Sequence, residues 1–179
     1  MISLLRAVEG SVLWLLEENV AVTRNLKREA QTRGVAAERI VFAPHSPPDK
    51  HVARHRLADL FLDTLPYNAH TTASDALWAG LPLLTCLGGT FAGRVAGSLL
   101  QAIGLPELVT DSLDAYEALA LKLARDRPKL AAIRATLAKN RDTSPLFDTA
   151  RFTRHLEAAY GQMWQRQRQG QPPSNFTIL

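Results

Sequence analysis

Residues 60–85, LFLDTLPYNAHTTASDALWAGLPLLT, contain the unit that decides the fold. The apolar run at 60–63 is typical of a buried strand, and it ends in a loop of turn-forming residues. The residues after this loop follow helical spacing, with Gly80 and Pro82 where a helix ends and a strand begins. A second apolar run at 81–86 predicts that next strand. Strand, helix and strand in this order indicate a parallel β-α-β unit.

The same alternation extends in both directions from this unit. Upstream, strand-like runs at 11–16 and 39–44 alternate with helical spacing at 23–34 and 48–59. From Phe91 onward the pattern is almost wholly helical, with helices predicted at 91–104, 113–126, 128–142 and 149–169. The sequence therefore predicts a doubly wound α/β fold. It consists of a Rossmann-like parallel sheet flanked by helices and a helical C-terminal third.

Length and composition predict a single domain, and the net charge suits an anionic ligand. The chain has 179 residues, of which 46% are apolar and 21% charged, so it can bury one core. We predict a single lobe over residues 1–169 and a flexible tail over 170–179. The net charge of +4 is spread along the chain, which argues against a nucleic-acid partner but suits a phosphate ester. No apolar run approaches the roughly twenty residues that span a bilayer, so no membrane partner is expected.

The cysteine and histidine content argues against a metal site. The single cysteine, Cys86, excludes a disulfide framework and is predicted to be a small core residue. It fits a reducing compartment, and we expect a cytoplasmic protein. The five histidines show no metal-ligand spacing on a helix, so neither a metal nor another cofactor is predicted.

The loop at 63–70 and the helix after it form the candidate binding site. Ligands of parallel α/β sheets bind beyond the carboxyl ends of the strands. A helix start offers unpaired N–H groups and a positive dipole end, to which His70, Thr71 and Thr72 would add side-chain donors for a phosphate. Asp75 lies on the same helix face, and its carboxylate suits ribose hydroxyls. This arrangement is typical of a site for a nucleoside diphosphate.

A structural interpretation explains the same residues without a ligand. Thr72-x-x-Asp75 resembles a capping box with Asp in place of Glu, which would close the helix start by itself. Upstream, His51 and Arg54 lie three apart on one predicted helix face, where they either contact a base or form a solvated polar surface. Both groups follow the ends of consecutive strands, and a parallel sheet would bring them to one edge. That shared position favours binding.

A longer pattern adds a family resemblance. Residues 39–94, with LADLFLDT, NAHTT and DALWAGLP in order, resemble the C-terminal catalytic lobe of O-linked N-acetylglucosamine transferases. These SPINDLY-like proteins belong to glycosyltransferase family 41 and usually carry tetratricopeptide repeats. The similarity continues through SVLWLL upstream and SPLFDTARFTRHLEAAYGQMW downstream, so it covers nearly the whole chain. It implies a two-lobed GT-B enzyme that moves N-acetylglucosamine from UDP to Ser or Thr of proteins, with inversion and without a metal.

The resemblance also implies roles for particular residues. Seven positions would contact the donor: His70, Thr71 and Thr72 at the pyrophosphate, Asp75 at the ribose, and His51, Arg54 and the backbone at Ser46 at the uracil. No catalytic residue is implied in this lobe, because the base and part of the acceptor cleft belong to the N-terminal lobe. We therefore expect the chain to be part of one lobe, which binds the donor without transferring the sugar.

The chain departs from the family pattern at one donor position. Pro48 stands where the family usually has a nucleotide-contacting Lys, so Lys50 or His45 would have to replace that cation. The family's phosphate-binding Lys precedes the first helix and has no counterpart in these residues. These departures leave two alternatives: a non-catalytic interaction module derived from such a lobe, or a GT-B transferase with another nucleotide-sugar donor.

The last predicted helix carries an apolar stripe. In GT-B enzymes this helix crosses to the other lobe, so the stripe is expected to lack part of its partner. We therefore expect homo-oligomers or self-association of the isolated chain. The residues of this stripe are Phe152, Leu156, Tyr160, Met163 and Trp164.

Overall fold

The structure, a computed structural model, describes residues 1–178. Over these residues the strands are β1 Leu13–Leu16, β2 Ile40–Ala43, β3 Phe61–Leu62, β4 Leu83–Cys86 and β5 Val109–Thr110. The helices are α1 Ile2–Ala7, α2 Val20–Thr32, α3 Pro48–Arg54, α4 Thr71–Ala79, α5 Val95–Ala102, α6 Leu113–Arg125, α7 Arg127–Arg141 and α8 Thr149–Arg168.

Every strand pair is parallel, as predicted, and helices flank the strands. The strands form two ladders, β1–β2 and β3–β4–β5, where one sheet was expected. Over residues 1–178 no strand pairing joins β1 to β3. Helix α1 connects the two parts, because Leu5 packs with Ile40 of the first ladder and Leu4 packs with Leu84 of the second. Adjacent residues of one short helix thus belong to two different cores.

Strand β5 was not predicted from the sequence, and it lies between the helices predicted at 91–104 and 113–126. Residues 109 and 110 pair in parallel with Thr85 and Cys86 at the end of β4. A strand of two residues is too short to show an alternating pattern, and only its partner strand reveals it. In the same region, α5 begins at Val95 rather than at 91, since residues 91–94 form a turn.

The predicted helix punctuation is confirmed at several points. Gly80 ends α4 in the left-handed region with φ +85°, a conformation that favours glycine because a Cβ would be strained there. Ser112 caps α6 by accepting a hydrogen bond from the N–H of Ala115. Pro48 occupies the first turn of α3, where a proline is well tolerated. Helix α3 ends at Arg54, earlier than predicted, because a 3₁₀ turn follows it.

The main core lies around β4, between α4 and α5. All four residues of β4 are buried, and Cys86 is among them with 4% exposure, which confirms it as a core residue. Leu77 of α4 and Leu100 of α5 are fully buried in the same cluster. This burial on both sides fixes the position of α4 relative to the strand ends. Among the helices of residues 1–178, none combines the length and apolar character needed to cross a membrane.

Helix α8 and the residues after it contribute little to this core. Within the described chain, α8 has no buried residue. Residues 171–178 contain no helix or strand. Leu179, the last residue of the predicted tail at 170–179, lies outside the described residues, and the division into lobe and flexible tail stays a prediction.

The exposed stripe of α8 leads to a first prediction. Phe152 and Trp164 are each 65% exposed, and burying these rings against another surface would be favourable. We expect the chain to self-associate at high concentration, and the double variant Phe152→Ser/Trp164→Ser to be largely monomeric. Light scattering after size-exclusion chromatography measures both. The control variant Leu57→Ser removes an exposed apolar side chain elsewhere, and its molar mass in solution should equal that of the unaltered chain. A clean monomer for the unaltered chain at high concentration would contradict the prediction.

Candidate functional site

The start of α4 is open, meaning that no side chain caps its first turn. His70 occupies the N-cap position without a side-chain cap bond, and the first backbone bond runs from the N–H of Ser74 to the carbonyl of His70. The N–H groups of Thr71, Thr72 and Ala73 therefore have no partner within residues 1–178. The capping-box interpretation is wrong, because the helix already begins at Thr71 and Thr72 is not its cap.

Asp63 determines where this helix begins. Its carboxylate is 6% exposed and accepts hydrogen bonds through Oδ1 from the N–H of Thr64 at 2.8 Å and of Ala69 at 2.7 Å. Through Oδ2 it accepts the Thr85 hydroxyl of β4 at 2.6 Å. Because Ala69 directly precedes His70, these bonds hold the loop so that α4 starts at a defined point. No sequence pattern predicted this role for Asp63, although an acid directly after a buried strand was the available signal.

The rest of the loop is tied to its neighbours. Asn68 is 1% exposed, and its side-chain amide donates to the carbonyl of Thr64 at 2.9 Å. Its backbone N–H donates to Ala92 at 2.9 Å in the loop after β4. Tyr116 of α6 donates its hydroxyl to the carbonyl of Asp63 at 2.9 Å, and burial raises the pKa of Tyr116 well above its usual range. That hydroxyl therefore stays protonated and able to donate.

His51 and Arg54 of α3 form one unit beside α4. The Arg54 guanidinium donates to the carbonyl of Pro44 at 2.8 Å and to Nδ1 of His51 at 2.7 Å. Because Arg is only a donor, Nδ1 accepts and the proton of the neutral His51 ring lies on Nε2. Arg54 was expected to contact a base, but in this arrangement its donors already hold His51 and the preceding loop.

His51 also lies next to Asp75. Its Nε2 is 3.9 Å from Oδ2 of Asp75, which joins the two predicted groups of residues. Burial, together with repulsion from His55 and Arg54, lowers the pKa of His51 below its ordinary value of 6.5, although Asp75 opposes this. His51 is therefore mainly neutral at neutral pH. Its contact with Asp75 is that of an N–H near a carboxylate rather than an ion pair.

The remaining predicted positions lie around this pair. Ser46 lies in the loop between β2 and α3, with its hydroxyl buried and without a partner among the described residues. Lys50 and His45, the proposed replacements for the family Lys, are both exposed. Two surface hollows, of about 120 and about 570 Å³, are lined by none of the seven predicted residues. The site is thus described by its side chains and its open helix start.

Two aromatic side chains beside His70 were also missed. Tyr67 stacks on the His70 ring with 4.8 Å between centroids and an angle of 20°. Phe91 meets the same ring edge-on at 6.1 Å and 88°. Phe91 lies in a predicted helix and Tyr67 in the predicted loop at 63–70, so no pattern in the sequence connected the two residues.

The fold and the uncapped start of α4 define the class of this protein. It is a Rossmann-like α/β lobe with hydrogen-bond donors at the carboxyl ends of its parallel strands. Comparison with known protein families identifies the lobe more closely. The chain belongs to glycosyl transferase family 41, whose family model matches residues 1–156.

Individual relatives support this assignment. The probable UDP-N-acetylglucosamine–peptide N-acetylglucosaminyltransferase SEC of Arabidopsis thaliana is 40% identical over 178 residues, covering 99% of this chain and 18% of the plant protein. The UDP-N-acetylglucosamine–peptide N-acetylglucosaminyltransferase of Caenorhabditis elegans is 38% identical over 176 residues, covering 98% of this chain and 15% of the nematode protein. This chain thus spans less than a fifth of the length of either relative.

A solved structure agrees with the fold. A variant of the O-GlcNAc transferase of Thermobaculum terrenum matches with a TM-score of 0.84 and 36% sequence identity. The match covers 91% of this chain and 32% of the other. The family resemblance drawn from the sequence and the predicted α/β fold are both confirmed.

Proposed function

We propose that residues 1–169 bind the UDP-N-acetylglucosamine donor of a protein O-N-acetylglucosaminyltransferase. The complete enzyme would transfer the sugar to Ser or Thr hydroxyls with inversion and without a metal ion or other cofactor. The observation that carries this proposal is the uncapped start of α4, with His51 3.9 Å from the Asp75 carboxylate one turn further along. The names of the two relatives, both UDP-N-acetylglucosamine–peptide N-acetylglucosaminyltransferases, support the choice of donor.

Each predicted residue has a chemical part in this proposal. The free N–H groups of the first turn of α4, with His70, Thr71 and Thr72, would hold the pyrophosphate and stabilise the charge that develops on it as it leaves. The Asp75 carboxylate would accept hydrogen bonds from the ribose. The His51 ring would stack on uracil, and the backbone at Ser46 would meet the base edge. Arg54 would act mainly by holding His51 in place.

The proposal divides the reaction between this lobe and other parts of the enzyme. The general base, the acceptor cleft and the tetratricopeptide repeats would belong to polypeptide other than residues 1–178. The isolated chain would therefore bind the donor without transferring the sugar to an acceptor protein. We propose the cytoplasm as its compartment, with neither nucleic acid nor membrane as a partner.

Calorimetric titration with UDP, GDP and ADP tests the proposal. We expect UDP to bind with a dissociation constant on the order of 0.1–1 mM, because only one side of the cleft is present. GDP and ADP should bind more weakly, because uracil is expected to fit the backbone at Ser46. Absence of heat at millimolar UDP would contradict the proposal. Tighter binding of GDP or ADP would favour a GT-B transferase with a different donor.

One observation favours the alternative of a non-catalytic interaction module. Pro48 fits well at the first turn of α3, and Lys50 and His45 are exposed rather than directed by any hydrogen bond among the described residues. Such a module would show the circular dichroism spectrum of a folded protein but would bind none of the three nucleotides. That pair of results would replace the donor-binding proposal with this one.

A further inference from the structure

A hollow of about 120 Å³ lies at the other end of the strands from the proposed donor site. Its lining includes Ala58, three residues before β3, and Leu81, two residues before β4. Because β3 and β4 are parallel, these residues mark the amino ends of both strands. Helix α4 begins at the donor site and ends at Gly80 beside the hollow, so nine residues of helix, about 13 Å, separate the two. The hollow is therefore a separate surface.

Three basic side chains line this hollow, and they carry hydrogen-bond donors that lack acceptors. They are His55, Arg56 and Arg134, and within residues 1–178 no acid lines the hollow with them. Arg134 donates through Nη2 to the carbonyls of Ala58 at 2.6 Å and Asp59 at 3.1 Å, but its Nε is buried without a partner among the described residues. A buried unpaired donor carries a desolvation cost, which an acceptor placed in the hollow would remove. Arg56 is exposed and has its guanidinium open to solvent.

The nearby acid and the end of α4 do not supply that acceptor. The Asp59 carboxylate lies 3.5 Å from Arg134, but its side chain is 90% exposed and is not part of the lining. In the last turn of α4, the carbonyls of Ala76 and Leu77 accept from the N–H of the capping glycine, and that of Trp78 accepts from an arginine of α7 at 3.2 Å. These bonds offset the negative end of the helix dipole, which would otherwise repel an anion.

His55 adds an acceptor to this set of donors. It is 9% exposed, and its Nδ1 lies 2.8 Å from the carbonyl of His51. Because a carbonyl only accepts, Nδ1 carries a proton, and in the neutral ring Nε2 is left as an acceptor. The structure gives Nε2 no hydrogen-bond partner among residues 1–178. The hollow thus combines two guanidinium donors with one imidazole acceptor.

From this combination we infer that the hollow binds hydrogen phosphate, at a site independent of the proposed donor site. The phosphate oxygens accept from Arg56 and Arg134, whose charges balance that of the ion. The P–OH group, which phosphate keeps at neutral pH, donates to Nε2 of His55. Sulfate has the same shape but no proton to donate there. The volume of about 120 Å³ suits one small ion, since sites for drug-sized ligands measure about 300–1,000 Å³.

NMR titration of the isotope-labelled chain both locates and measures this binding. Amide signals are followed as phosphate replaces chloride at constant ionic strength and neutral pH, and the titration is repeated with sulfate. We expect saturable shifts at Gly80 and Leu81, with a dissociation constant for phosphate on the order of 1–10 mM and weaker binding of sulfate.

Two variants with the same loss of charge separate the hollow from a general charge effect. Arg56→Gln should weaken phosphate binding about 3- to 5-fold, as expected for an exposed charged contact. Because Arg56 is exposed, this variant should remain folded, whereas replacing Arg134 would also remove its bonds to the loop before β3. The control Arg24→Gln removes an exposed arginine of α2 and should leave the dissociation constant unchanged.

Several results would overturn the inference. Phosphate shifts confined to Thr71 and Thr72 would mean that the ion binds only at the proposed donor site. Sulfate binding as tight as phosphate binding would exclude a role for the P–OH group, and hydrogen phosphate would then not be the ligand. An unchanged constant in Arg56→Gln, or equal weakening in Arg56→Gln and Arg24→Gln, would also contradict it. The proposed function fails separately, through absence of UDP binding at the other end of α4.

Discussion

Replacement of Asp63 by alanine is expected to lower the free energy of unfolding by about 3–5 kcal/mol. The variant would leave three donors without an acceptor, namely the half-buried N–H groups of Thr64 and Ala69 and the fully buried hydroxyl of Thr85. Bonds to a carboxylate are stronger than bonds between neutral groups, and an unpaired donor adds a desolvation cost that grows with its burial. Urea unfolding followed by circular dichroism measures the effect.

The matched control for this prediction is Asp59→Ala. Asp59 lies just before the same strand, but its side chain is 90% exposed and lies 3.5 Å from Arg134. Exposed ion pairs contribute little, so the control should lose less than about 1 kcal/mol. The conservative variant Asp63→Asn, which keeps an acceptor oxygen, should lie between the two. Equal stabilities for the Asp63→Ala and Asp59→Ala variants would show that Asp63 does not organise the loop.

The double variant His70→Ala/Asp75→Ala is expected to weaken UDP binding by at least about 100-fold, which would remove the calorimetric signal at millimolar ligand. Each side chain would supply a hydrogen bond in which one partner is charged, worth about 1.5–3 kcal/mol, and each 1.4 kcal/mol is about tenfold in affinity. The Asp75 carboxylate also lies 3.9 Å from the His51 ring. Its loss would therefore disturb the part of the site that is proposed to bind uracil.

A control with the same chemical changes elsewhere is His155→Ala/Asp142→Ala. His155 lies on α8 and Asp142 at the C-terminal end of α7, and neither helix carries any of the seven predicted positions. This control should bind UDP as the unaltered chain does. UDP heat that is unchanged in the His70→Ala/Asp75→Ala variant would argue that UDP, if it binds, binds somewhere else.

The local pattern of the sequence determined much of this protein. The β-α-β unit at residues 60–85 was predictable because apolar periodicity and helix-ending residues such as Gly80 act over a few neighbours. The family resemblance was equally readable, because a long ordered pattern such as NAHTT followed by DALWAGLP needs no three-dimensional information. The same local reasoning also offered a capping box at Thr72, and that interpretation was wrong.

Tertiary structure alone decided how those elements make a site. The start of α4 is set by the buried carboxylate of Asp63, which belongs to a different element, so the helix begins one residue before Thr72 and stays open. The meeting of His51 with Asp75, and of Tyr67 with Phe91 around His70, joins residues on separate segments. Strand β5 likewise exists only through its pairing with β4. The physical reason is the same in each case: the energy lies in contacts between distant parts of the chain, which local periodicity does not encode.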